Sequence, residues 1–322
     1  MKQNIFKRFM NMKESGIIIV TILYIIMVQI INPVFLSVGN ILNVLRSTGF
    51  TLITAIGMTL ALVSGGLDLS VGSVLALGGV MTGLAINWGC GVFLAVIIGI
   101  ISGVILGWIN GILIVRFNIP PMIMTLGMMY IARGIVNILT LGVPVYPLPE
   151  AFMAIEQQDL LGIPKVIYIS LLLAAAFAFI LKHMTFGRRI YAIGGNCETA
   201  RISGIDIGKT KVYIYMIVGG TAALTGILQA SRLGSAQPGA GADYSMNVIA
   251  ACIIGGTSTY GGVGTVLGTV IGSFFMNMMT NSMQLMRISV YWQNLVIGVV
   301  LVLAVILDEV SRARKAKHIV EQ

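Results

Sequence analysis

The sequence predicts an all-α integral membrane protein with about ten transmembrane helices, some of them broken at glycine-rich points, and with an internal repeat. Three observations predict it. Of 322 residues, 57% are apolar and only 10% are charged, against about 25% charged in soluble domains. The mean hydropathy is +0.97. The apolar residues fall into runs near the length of about 20 residues that crosses a bilayer as a helix. Thirty-nine glycines imply close helix contacts and interrupted helices.

The spans read, in order, 16–36, 44–64, 71–88, 92–115, 120–141, 166–182, 212–231, 246–260, 262–280 and 290–307. The first follows a short basic start and lacks a small-residue cleavage site, so it reads as a retained span. The eighth is short and reads as broken or re-entrant. An even count places both termini on one side. Fifteen of the twenty basic residues lie on that side: Lys2, Lys7, Arg8, Lys13, Arg116, the six between the sixth and seventh spans (Lys182, Arg188, Arg189, Arg201, Lys209 and Lys211), and Arg312, Arg314, Lys315 and Lys317. The positive-inside rule makes that face cytoplasmic. The 142–165 loop, with Glu150, Glu156 and Asp159 against Lys165, then lies outside. In this setting a net charge of +9 reflects orientation rather than nucleic acid. Cys90, Cys197 and Cys252 are too few and too unspaced for a disulfide framework or a metal cluster.

The fourth span carries Gly99, Gly103, Gly107 and Gly111, and the ninth carries Gly264, Gly268 and Gly272. Each set forms a ridge along one helix face that lets another backbone approach. Helix packing is the plain reading, and a glycine-lined path or sliding surface is the other. Residues 65–75 read GGLDLSVGSVL and residues 255–267 read GGTSTYGGVGTVL. Paired glycine-rich interruptions in a repeated pattern point to a transport path.

Asp68 sits between two apolar spans, where a carboxylate must be paired or hydrated. As an N-cap it would hold a broken helix, with Ser64, Ser70, Ser73 and free amides as partners. With Ser70, Arg133 and Asn247 it could instead line a path or gate. Arg133 falls inside the fifth span, so it needs Asp68 or a backbone carbonyl as partner. Arg46, Arg232, Asp243 and Arg287 lie near the outer face, as interfacial anchors or as contacts to an external partner.

The 183–211 loop is basic and patterned. Asn196 reads as an N-cap, followed by a short helix over 198–202 that Gly204 ends. Such a helix suits docking into a groove on a soluble partner, or lying on lipid phosphates. Ser203-Gly-Ile-Asp-Ile-Gly-Lys-Thr210 approaches a phosphate-binding loop, but Ser203 replaces the first glycine and no strand precedes it. His183 and His318 form no metal or catalytic constellation.

Ile56-Gly-Met-Thr-Leu, Ser64-Gly-Gly-Leu-Asp-Leu-Ser-Val-Gly72, and Tyr191-Ala-Ile-Gly-Gly-Asn196 through Ser203-Gly-Ile205 resemble the ribose-type permeases. These are membrane subunits of ATP-binding-cassette importers for monosaccharides. The resemblance covers nearly the whole chain. It implies one transmembrane permease domain over 1–322, divided into 16–182, a coupling loop 183–211, and 212–310. It also implies that the loop docks on an ATPase. Glu198, Ala200 and Gly204 match the importer motif E-A-A-x-x-x-G, while Thr199 replaces one alanine. Ile214 matches the longer pattern, whose Leu-Pro is absent. Gly194, Gly195, Asn196 and Ser203 complete the coupling set.

The implied partners are two ATPase subunits carrying ATP and Mg, an external sugar-binding protein, a second permease subunit, and the bilayer. The chain itself is expected to bind no cofactor and to be no enzyme, in the inner membrane of a bacterium. The residues agree, since the chain has no ATP site, no capture domain, and few intramembrane charges for a proton relay. The alternatives are an importer of a related sugar-like signal or nucleoside, and a stand-alone secondary transporter using Asp68 and Arg133.

Overall fold

The computed structural model describes residues 15–320. Its helices are α1 (Ser15–Ile31), α2 (Val38–Val63), α3 (Val71–Asn87), α4 (Val92–Phe117), α5 (Pro121–Thr140), α6 (Glu150–Gln157), α7 (Lys165–His183), α8 (Thr185–Gly195), α9 (Cys197–Ile202), α10 (Ile207–Leu233), α11 (Tyr244–Ile254), α12 (Val266–Leu285) and α13 (Val290–Val320). A 3-10 turn, Pro33–Leu36, joins α1 to α2. Ten helices fall on the ten expected segments, and α6, α8 and α9 occupy the two longest connections. Among the described residues the β pairing is limited to two isolated bridges. Lys2, Lys7, Arg8 and Lys13 lie outside the described residues, as do the side chains of Arg312, Arg314, Lys315, Lys317 and His318.

Five helices (α2, α4, α5, α7 and α10) are long and apolar enough to cross a membrane. They divide by position. In α2 every residue from Thr48 to Val63 is buried, which is why its sequence is apolar all round. It packs against α10, α12, α7 and α11, while α3 and α4 pack on α10. Helices α5 and α7 bury only one narrow face each.

The glycine ridges set the closest approaches. A Cβ at Gly103 would overlap the carbonyl of Gly219 on α10, and one at Gly219 would overlap the carbonyl of Gly103. Gly107 and Gly111 meet Tyr215 and Val212 in the same way, while Gly99 faces Thr82 and Gly78 of α3. On α12, Gly268 and Gly272 lie against the backbones of Gly255 and Ala251.

Several helix limits differ from the expectation. Helix α2 begins at Val38 rather than 44, α1 ends at Ile31 rather than 36, α12 ends at Leu285 rather than 280, and α13 runs to Val320 rather than 307. Helix α10 begins at Ile207, inside the loop, because Asp206 caps it by accepting the Lys209 amide at 2.9 Å. Helix α11 stops at Ile254 rather than near 260. Helix α12 starts at Val266 rather than 262, because Thr265 accepts the Gly268 amide at 2.9 Å.

Candidate functional site

Two helix breaks and one short helix meet at one end of the bundle. Helix α2 ends in a Schellman stop: Gly66 N–H donates to Ala61 O at 2.8 Å, Gly65 N–H donates to Leu62 O at 2.9 Å, and Gly65 has φ +75°. Residues 67–69 then run back into the bundle without helical bonds. Neighbouring helices satisfy their polar groups. Leu69 N–H donates to Thr125 Oγ1 at 3.1 Å, and Leu69 O accepts from Ser245 Oγ at 2.8 Å. Leu67 O accepts from Tyr215 Oη at 3.4 Å.

Asp68 is 1% exposed in this segment. Its Oδ1 accepts from Ser70 N at 2.8 Å and from Ser70 Oγ at 2.5 Å, and its Oδ2 accepts from Asn110 Nδ2 at 3.4 Å. Asn110 lies two turns inside the end of α4, about 10 Å along the axis. Asp68 therefore closes a turn two residues ahead of α3 and is not its N-cap, which is Ser70. Among the described residues it has no ion-pair partner. Ser64 Oγ donates to Ala61 O rather than to Asp68. Arg133 donates to the carbonyl of Pro238 at the other end of the bundle, the second of its two expected partner types.

The second break opens on the same stop. Thr257 N–H donates to Cys252 O at 3.0 Å, Gly256 N–H donates to Ile253 O at 2.8 Å, and Gly256 has φ +86°. Gly65 and Gly256 are thus equivalent. The matching strings VGSVL and VGTVL are not, since α3 starts at Val71 but α12 starts three residues into its string. Asp308 of α13 ties this break down. Its Oδ2 accepts from Ser258 Oγ at 3.1 Å, from Thr259 N at 3.2 Å and from Thr259 Oγ1 at 3.4 Å.

Gly194, near the end of α8, touches both breaks. A Cβ there would overlap Val63 O and crowd the Gly262 amide. That amide donates to Val63 O at 2.8 Å, and Tyr191 Oη donates to Gly264 O at 2.7 Å. Beyond this junction the chain turns outward. Gly195, Asn196 and Glu198 are exposed, Ala200 is buried, and Ile202 is 80% exposed at the tip. Asn196 caps α9 by accepting the Thr199 amide at 2.9 Å. Ser203 Oγ donates to Thr199 O. Gly204, at φ +78°, ends α9 in another Schellman stop, with Ile205 N–H donating to Ala200 O at 3.1 Å. The Lys209 hydrogen bonds hold the exposed Asp206 carboxyl below the usual carboxylate range.

The opposite end is built from α6 and the segment 234–243. Val145 pairs with Ala236. Arg46 forms ion pairs with Asp159 at 2.8 Å and Glu156 at 3.5 Å. Glu156 is fully buried, and its Oε2 accepts the Val166 amide at 3.0 Å. Burial holds its carboxyl above the usual range, against Val166 and Arg46, which act to lower it. Segment 234–243 runs inward past Arg133 until Gly241 meets the backbone of Gly72, so α11 begins inside the bundle. Asn247 is half-buried on α11 and has no hydrogen-bond partner among the described residues. Among the described residues no hydrogen bond joins Asn247 or Arg133 to Asp68 or Ser70.

Asn110, Thr125, Tyr215, Ser245 and Asp308 were not singled out in the sequence. A lone asparagine in the apolar fourth span is the signal that was available for Asn110.

The sequence profile of the branched-chain amino acid transport system permease component matches residues 40–305. The chain belongs to this permease family. It is 39% identical over 306 residues to a ribose import permease of Haemophilus influenzae, covering 94% of this chain and 95% of that one. It is 42% identical to a ribose import permease of Bacillus subtilis, covering 94% of each. It is 36% identical to an L-arabinose transport system permease of Escherichia coli, covering 94% of this chain and 92% of the relative. No solved structure matches it. This permease is a multi-pass membrane protein, and the helix breaks lie in its transmembrane bundle.

Proposed function

We propose that this permease forms the path for a ribose-type monosaccharide in an ATP-binding-cassette importer, with ATP and Mg held by separate ATPase subunits. The similarity to ribose import permeases over nearly the whole chain supports the substrate class. An external sugar-binding protein would deliver the sugar at the end carrying Arg46 and α6. A second permease subunit would complete the path.

The contact of Gly194 with both breaks carries the coupling part of this reading. The ATPase would dock on α9, whose Glu198, Arg201 and Ile202 face outward. Motion of α8 would then reach Val63 and Gly262 through backbone contact, with no intervening side chain to absorb it. Both breaks would respond together, because the Gly262 amide is bonded to Val63 O. The residues around Asp68 would hold the first break in shape rather than supply a charge to the path, since Asp68 faces only neutral partners.

The test uses the complete importer in proteoliposomes. The expected result is ribose uptake that needs the ATPase and external ATP-side loading. Glu198→Lys should abolish ATPase association while the permease still inserts. Gly204→Arg would mix charge with backbone strain at φ +78°, so Glu198→Lys is the cleaner variant. Gradient-driven uptake by this chain alone would replace this reading with a secondary transporter.

A further inference from the structure

A cavity of about 290 Å³ opens between α2, α10, α11 and α12, near the end where Arg46 pairs with Asp159. At about 30 Å³ per water it holds roughly ten waters, about the number of non-hydrogen atoms in a pentose. Ser47, Thr51, Gln229, Arg232, Tyr244 and Asn277 face it, with Phe50 beneath. This is a concentration of hydrogen-bonding side chains unusual for a span interior.

Three of them have spare capacity. Among the described residues the Ser47 hydroxyl, the Gln229 amide and the Arg232 guanidinium have no hydrogen-bond or ion-pair partner, and Arg232 lies 5.8 Å over the Phe50 ring. Thr51 Oγ1 and Asn277 Oδ1 lie 3.3 Å apart, and Asn277 Nδ2 uses one of its two N–H groups on Ser273 O. The Tyr244 hydroxyl donates to Phe50 O, and the Thr51, Thr54 and Thr225 hydroxyls surround its oxygen. No carboxylate lines the cavity, and the Arg232 guanidinium disfavours a cation there. A larger groove, about 630 Å³ and lined by Ile100, Val104, Phe186, Met216 and their neighbours, is apolar. A polyol there would leave its hydroxyls unpaired.

Resting on the importer reading above, we infer that the cavity between α2, α10, α11 and α12 is a binding site for a neutral polyol of pentose size on its way through this chain. Arg232 supplies a fork of donors for adjacent hydroxyls, while Gln229, Asn277 and Ser47 supply both donors and acceptors.

The experiment uses the complete importer in proteoliposomes, with ribose as probe. Gln229→Ala and Asn277→Ala should each reduce uptake about tenfold, equivalent to about 1.4 kcal/mol, at unchanged permease content and ATPase association. In a second arm, Gln229→Cys in a chain lacking Cys90, Cys197 and Cys252 is treated with a hydrophilic thiol reagent. Labelling should be slowed by ribose.

Uptake by both alanine variants within twofold of the unsubstituted importer overturns the site. If either alanine variant fails to assemble, the labelling arm decides. Labelling that ribose leaves unchanged overturns the site, and so does slowing by ribose 5-phosphate but not ribose. Absence of ribose uptake by the unsubstituted importer is the failure of the ribose reading instead. The labelling is then run with arabinose and xylose, and the site falls if neither slows it.

Discussion

Asp68 is held by neutral donors alone, so its role in the fold can be measured by removing them. Asp68→Ala leaves Ser70 N and Ser70 Oγ without their acceptor, and leaves Asn110 Nδ2 with Ser70 Oγ alone. It should cost about 1–3 kcal/mol of stability. Asp68→Asn should cost less, because Asn110 Oδ1 has no partner and the Asn110 amide can turn to accept. Thermal unfolding of the purified permease in detergent compares the two, and equal losses would contradict this account. Glu156 gives a pH signature at the other end. Burial raises its carboxyl above the usual range, so the folded state holds its proton to higher pH than the unfolded chain does. Stability contributed by that proton is fully present below the ordinary glutamate range near pH 4.3. It falls as pH rises through the folded-state value. Melting temperatures from about pH 4 to about pH 8 should therefore drop more steeply for the unsubstituted chain than for Glu156→Gln.

At the scale of elements, Gly194 and Gly195 are neighbours with opposite surroundings. A Cβ at Gly194 enters the Val63–Gly262 contact, whereas one at Gly195 meets nothing within 4 Å. Gly194→Ala should uncouple ATP hydrolysis from uptake or prevent assembly, and Gly195→Ala should leave both near the unsubstituted level. Uptake and ATPase rates in proteoliposomes read this directly. The same logic explains which breaks were legible. Gly65 follows an apolar run and stands where L side chains rarely go, so the stop of α2 and the start of α3 at Val71 were visible in the string. The stop of α11 at Ile254 and the start of α12 at Val266 were not. The second depends on Thr265 as cap, and the matching Val-Gly-(Ser/Thr)-Val-Leu strings place it in the wrong register. Asp68 was visible as a costly charge, but its neighbours were not, because Asn110, Thr125, Tyr215 and Ser245 come from four different helices.

For the whole molecule, the two ends differ in kind. One gathers both breaks, α8 and the exposed α9. The other gathers α6, the Arg46 ion pairs and the inward segment 234–243. The distribution of basic residues leads us to expect the first end in the cytoplasm. Native Cys197 is exposed on α9 and Leu161 is 90% exposed at the other end. An impermeant thiol reagent should spare Cys197 in intact cells and label it in inverted vesicles, with the reverse pattern for Leu161→Cys. Labelling of Cys197 in intact cells would invert the topology.

The sequence by itself determined that this is an all-α membrane protein, where its ten apolar segments lie, where α2 stops, and which family it resembles. These follow from local quantities: apolar length, glycine conformation and residue strings. Only the tertiary structure decided that both breaks touch one glycine of the 183–211 loop, that Asp68 and Arg133 lie apart, and that a polar cavity stands beside Gln229 and Asn277. Those facts depend on which helices become neighbours. In lipid that choice rests on backbone approach and buried polar pairing between residues far apart in the chain, which no local pattern records.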